Sequence, residues 1–223
     1  MQRNGQLSAL AAGALFVVAL VGGTWLRGSA SEVGTPVDRE AWNALSAYSA
    51  IWAEHYDSLE QMAVAAAAGG ETAEGVELQP GAVIVAKIDS VVAGRPGGDE
   101  PGNEVATVEL ALRVSEVLAG DPDIGTMVSL EMLNPAGNQM TPPELNAALS
   151  GAEGLFFLRR TDSEGGTQFW RKVNDQGILL NDQGVVYAAM LREEDELGSP
   201  LFPGNLNGQP FDAVVALVEV AVG

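Results

Sequence analysis

The chain has no cysteine, a single histidine, and 11 lysines and arginines against 30 aspartates and glutamates. Without cysteine there is no disulfide framework, no thiol nucleophile, no lipid anchor on a cysteine and no Cys/His zinc site. The formal charge of −19 at neutral pH comes with no basic tract. Nucleic acid is therefore not expected as a partner, since that affinity rests on neutralising phosphates. There is no G-x-S-x-G elbow, no G-K-[ST] phosphate loop and no G-x-G-x-x-G between a strand and a helix. What is present is apolar: 47% of the 223 residues are hydrophobic and 18% are charged. That balance predicts a folded core of one ordinary domain with appendages.

The most informative stretch comes first. Arg3 precedes an apolar run from Leu7 to Leu26, Arg27 closes it, and no acid appears before Glu32. Its length lies between the apolar region of a secretory signal, about 7–15 residues, and the roughly 20 residues of a membrane-spanning helix. Gly28-Ser29-Ala30 suits cleavage before Ser31, whereas Trp25 beside Leu26 and Arg27 suits an interfacial anchor. Residues 1–30 thus read as a signal peptide or a transmembrane anchor. Either way the positive-inside bias leaves the rest of the chain outside the cytoplasm, secreted or on a single-pass anchor. Beyond Arg27 nine basic residues face all 30 acids. Such a surface keeps the protein soluble and suits cationic partners or divalent cations.

Residues 31–79 read as one amphipathic helix, about Pro36 to Ala68, followed by an acidic linker. Thr35 can cap it and Pro36 fits the first helical position. Trp42, Leu45, Ser49, Trp52, Tyr56, Leu59 and Ala63 recur at three- and four-residue steps, a stripe expected to pack on its own domain. From residue 80 the period becomes that of strands. Ala82–Val92 and Glu104–Leu118 should pair as a long antiparallel hairpin, with a third strand at Thr126–Leu133. Thr141-Pro142-Pro143-Glu144 sets a capping box for a short helix through Leu149. Gly154–Thr161 with Thr167–Val173, and Ile178–Leu180 with Val185–Met190, form two more hairpins, and Phe211–Val222 forms a closing helix. Short strands with one long curved member predict an α+β, mainly antiparallel β fold built as a small barrel over residues 80–223.

The segments GAVIVAKIDSVV, VATVELALRVSEVLAGDPDIGTMVSLEML, GAEGLFFLRR, FWRKVNDQGILLNDQGVVY and QPFDAVVALVEV occur in that order. Over about residues 80–222 the chain resembles a group of exported bacterial domains with an OB-like, netrin-module-like β-barrel. In that group a strand ending V-x-E-V-L-x-G is followed by a glycine-led strand ending F-L, here Val114–Gly120 and Gly154–Leu158. The resemblance implies the barrel and no particular activity. Netrin-like metalloproteinase inhibitors bind metal through an N-terminal cysteine, which this chain lacks.

Candidate chemistry is sparse. His55 beside Glu54 and Asp57 has no second histidine or cysteine to work with, and reads as exposed or edge-packed. Asp99, Glu100 and Glu104, the Asp121-Pro122-Asp123 turn and the run Glu193 to Glu196 offer oxygen ligands for calcium, but none matches a twelve-residue calcium loop, and solvated acids are the plainer reading. No catalytic residue, metal site or cofactor is assigned, and the chain reads as a non-enzyme. One feature opposes the background charge. Arg159, Arg160, Arg171 and Lys172 should be gathered by one hairpin, with Phe169 and Trp170 alongside. Such a cluster is a candidate partner contact on an OB-like barrel, or a set of cross-strand ion pairs with the abundant acids. The expected function is a non-catalytic extracytoplasmic binding module with an envelope or membrane protein as partner, reaching the membrane through residues 7–26 if that run is retained. The alternative is a structural or accessory subunit of a membrane complex that works through its N-terminal helices. A calcium-dependent binder or a hydrolase is the more remote possibility.

Overall fold

In the computed structural model, residues 35–46, 56–71, 78–96, 104–121, 124–134, 140–161, 169–174, 176–189 and 202–223 are described. All belong to the compact unit Ser31–Gly223. The apolar run 7–26, His55, Asp99 and Glu100, Pro122-Asp123 and the acidic run 193–196 lie outside the described residues. Among the described residues no helix is long and apolar enough to cross a membrane.

The fold is α+β and mainly antiparallel β. In chain order the elements are α1 (Arg39–Ser46), α2 (Leu59–Ala68), the short strands β1 (Gly70–Glu71) and β2 (Leu78–Gln79), then β3 (Gly81–Ala93), β4 (Thr107–Gly120) and β5 (Met127–Leu133). After α3 (Pro142–Leu149) come β6 (Glu153–Thr161), β7 (Phe169–Lys172), β8 (Ile178–Asp182), β9 (Val185–Tyr187) and α4 (Phe211–Val222). Seven strands share one sheet in the order β3-β4-β5-β7-β6-β8-β9, and β6 also pairs with β3. The pairings from β3 through β4, β5, β7 and β6 therefore return to β3. All are antiparallel except β5 with β7, which run parallel and meet at Leu130 and Trp170.

The long β3–β4 hairpin bends because its register shifts three times, between Val83 and Ile84, Val85 and Ala86, and Ile88 and Ser90. Each shift adds a residue on one strand and increases the local twist. The sharp β8–β9 turn puts Gln183 at φ 57° and Gly184 at φ 91°, the two positive values that a two-residue hairpin turn requires.

Strict alternation on β3, β6 and β8 divides the apolar residues into two cores. Ala82, Ile84, Ala86 and Ile88, with Phe156, Leu158, Ile178 and Leu180, join Val108, Leu110, Leu112, Val128 and Leu130 in one. Val83, Val85, Leu155, Phe157 and Leu179 point the other way, into a core shared with Met62, Ala63 and Ala66 of α2 and Val214, Val215 and Val218 of α4. β6, β8 and the first half of β3 are thus buried on both faces, which is why they read as unbroken apolar runs. On β4 the first residues alternate instead, with Val108, Leu110 and Leu112 buried and Glu109, Ala111 and Arg113 turned away from that core.

The single helix expected from Pro36 to Ala68 is two. Asp38, not Thr35, starts α1, its Oδ1 accepting the Ala41 amide at 3.0 Å. Residues 56–58 are not helical, and Ser58 begins α2 by accepting the Gln61 amide at 3.2 Å. Tertiary bonds override the periodicity. The Val37 amide donates to Asp182 Oδ1 at 3.1 Å and Arg39 Nε to Asp182 Oδ2 at 2.9 Å, which holds the start of α1 against the β8–β9 hairpin. The Tyr56 amide donates to the buried Gln176 at 3.0 Å, drawing the chain out of helix just before α2. As a result Trp42 and Leu45 enter the first core while Leu59 and Met62 enter the second. The stretch expected as a bare linker carries the β1–β2 ladder. The capping box is present: the Thr141 amide and hydroxyl both donate to Glu144 at 2.7 Å.

Candidate functional site

The hairpin expected around residues 162–166 forms between β6 and β7, pairing Leu158 with Lys172, Arg159 with Arg171, Arg160 with Trp170 and Thr161 with Phe169. All six side chains singled out from the sequence are thus brought onto two adjacent strands. Alternation then separates them. Trp170 is 5% exposed and belongs to the first core, so it is a packing residue and not a surface platform. Arg160 lies at the cross-strand position from it and pairs with the shielded carboxylate of Asp121 at 3.4 Å. Arg159 donates to the Tyr56 hydroxyl at 3.3 Å, and its guanidinium fills the space where a Cβ on Gly70 would sit.

Arg171 and Phe169 belong to a different group, centred on Glu131 of β5. The Glu131 side chain is 5% exposed, and two arginines hold its carboxylate. Arg95 Nε donates to Oε1 at 2.8 Å, while Arg171 donates to Oε2 through Nε at 3.1 Å and Nη2 at 2.8 Å. Arg95 also lies over the Phe169 ring, 4.6 Å from its centroid, a cation–π contact that fixes the guanidinium plane. The Thr107 hydroxyl donates to the Arg95 carbonyl and anchors the chain after β3. Burial by itself would push the Glu131 carboxyl up, but the hydrogen bonds from Arg95 and Arg171, and their positive charges, outweigh it and hold the group below the ordinary carboxylate range. The same bond, against the opposing effect of burial, raises Arg95 above its ordinary value.

Both guanidinium groups reach solvent, Arg95 with 39% and Arg171 with 55% of the side chain exposed. Around the cluster this face carries small and charged residues, with the exposed Met127 and Leu133 at the two ends of β5. Ala111 and Ser129 are cross-strand partners, Glu109 lies opposite Glu131, and Arg113 pairs with Asp89 at 2.6 Å. Among the described residues no three aspartate, glutamate or histidine side chains group so as to hold a metal ion.

Arg95 and Glu131 were not legible as site residues. The only available signal was a carboxylate amid the apolar TMVSLEML, which on a strand must either face solvent or find a cation. The cations come from a loop 36 residues away and from a strand 40 residues away, joined to β5 by tertiary structure alone. Comparison of the chain with protein-family models, curated proteins and solved structures finds no match.

Proposed function

We propose that this chain is a non-catalytic extracytoplasmic binding module on an OB/netrin-like barrel, taking its partner on the outer face of β4, β5 and β7. The strand order β3-β4-β5-β7-β6 with return to β3, and helix α3 between β5 and β6 in the chain, supports the barrel reading. In an OB-type barrel the second and third strands form the ligand face, and here those are β4 and β5. The observation that carries the proposal is where the helices lie. α2 and α4 cover the outer face of β3, β6 and β8 and the C-terminal end of β4 at Leu118 and Ala119, and no described helix packs extensively on the outer face of the first half of β4, β5 and β7 beside the Arg95–Glu131–Arg171–Phe169 cluster. The apolar run 7–26 supports placement of this face outside the cytoplasm, secreted or anchored.

An accessory-subunit reading that docks through α4 rather than through the N-terminal helices has one observation of its own: Leu217 and Val220 are 60% and 83% exposed. In-cell crosslinking separates the two. A photoreactive residue at Met127, exposed on β5, is expected to give a discrete adduct in the native host, and one at Val220 is not. Adducts from Val220 alone would favour the accessory subunit. No adduct from either position would remove the binding-module reading.

A further inference from the structure

The Arg95–Glu131–Arg171 cluster holds two positive charges on one negative charge, in a chain where acids outnumber bases almost threefold. An arginine has five N–H donors in a rigid fork. Arg95 uses one on Glu131 and Arg171 uses two, and their other N–H groups have no protein acceptor among the described residues. Neither side chain is free to collapse elsewhere. Glu131 is buried beneath both, and Phe169 supports Arg95 from the ring face. The forks are therefore oriented before any ligand arrives, which lowers the ordering cost of binding. Glu109, cross-strand from Glu131, sets the upper limit on charge. Among the described residues no cation pairs with it, so it repels a second negative group and attracts a positive one.

We infer that Arg95 and Arg171 receive a single carboxylate carried on a cationic body, such as an acidic side chain within a lysine-rich segment of a partner protein. This rests on the proposed binding face and adds the chemistry of what binds there. A polyanion is disfavoured, because the field of the whole chain opposes it. A planar carboxylate suits the guanidinium fork, which takes two parallel N–H···O bonds.

The test uses the full chain in mild detergent and two fluorescein-labelled peptides, one with a central glutamate flanked by lysines and one with glutamine in its place. Fluorescence anisotropy should show the glutamate peptide binding about fivefold tighter, the order expected of one partly exposed charge pair with fork geometry. Arg171→Gln should erase that preference, and Arg171→Lys, which keeps the charge but not the fork, should restore only part of it. Arg95→Gln provides a second removal, and far-UV circular dichroism of each variant confirms the fold. Equal binding of the two peptides, no binding of either, or a preference that survives in both arginine variants would overturn the inference. Adducts at Met127 in the host without a glutamate preference would overturn the carboxylate assignment alone. Loss of those adducts would overturn the binding face beneath it.

Discussion

The sheet has two outer faces that lie over different strands and are held in different ways. Over β3, β6 and β8 the outward residues are Val83, Val85, Leu155, Phe157 and Leu179, and helices α2 and α4 bury them. Over β4, β5 and β7 the outward positions include Glu109, Ala111, Ser129, Glu131, Phe169 and Arg171, with the exposed Met127 and Leu133 at the ends of β5, and the burial there is of a carboxylate under two arginines. The first face is held by removal of apolar area from water, which is non-directional and tolerant of what lies beyond it. The second is held by directional, charge-assisted bonds that leave cationic groups at the surface. An antiparallel sheet commonly packs one face and leaves the other solvated, and here the solvated face also carries two arginines held in place by a buried carboxylate.

Substitutions can break this comparison. The largest effect is expected from Phe157→Ala, which empties a fully buried position between the sheet and the helix layer and should cost about 4 kcal/mol by denaturant titration. A cost of a few tenths would mean that the helices are not packed on that face. Next is Gly81→Ala. A Cβ there would lie 1.7 Å from the Ala66 carbonyl oxygen, so α2 must move off β3, for about 2 kcal/mol and faster amide exchange in α2. The same change at the uncovered face, Ser129→Ala, deletes a hydroxyl that is buried without a hydrogen-bond partner and should be neutral or slightly stabilising.

Glu131→Gln sharpens the contrast, since it leaves shape intact and removes the charge that two arginines share. A loss of about 2 kcal/mol is expected at neutral pH. The folded-state carboxyl is held below the ordinary range. Its contribution is therefore complete above the unfolded value, about 4.3, and fades as pH falls through the lower folded value. The gap between wild type and Glu131→Gln should close in acid over that window, whereas the Phe157→Ala deficit should remain. Parallel loss of both would place the carboxyl's effect elsewhere. The smallest effect belongs to Arg113→Ala, on a half-exposed ion pair with Asp89, where a change under about 0.5 kcal/mol is expected.

Local signals carried much of the fold. The capping box at Thr141 and Glu144, the turn at Gln183-Gly184, the three hairpins and the closing helix from Phe211 all depend on neighbours within a few residues, and each lies where the pattern put it. The helix from Pro36 to Ala68 failed because its periodicity could not register that Asp182 and Gln176, over a hundred residues away, would compete for the backbone at Val37 and Tyr56. The candidate site was half legible. Arg171 and Phe169 were visible as a local charge reversal with an aromatic beside it, while Trp170, in the same tripeptide, faces the core because β7 alternates.

The sequence by itself determined the charge of the surface, the absence of thiol chemistry, and the strands whose double-sided apolar pattern demanded burial on both faces, because those properties reside in residue type and short-range spacing. Tertiary structure alone decided that β5 lies beside β7, and so that Glu131 meets Arg171 and Arg95. Long-range register is set by the closing of the whole set of pairings, and no window of the chain contains it.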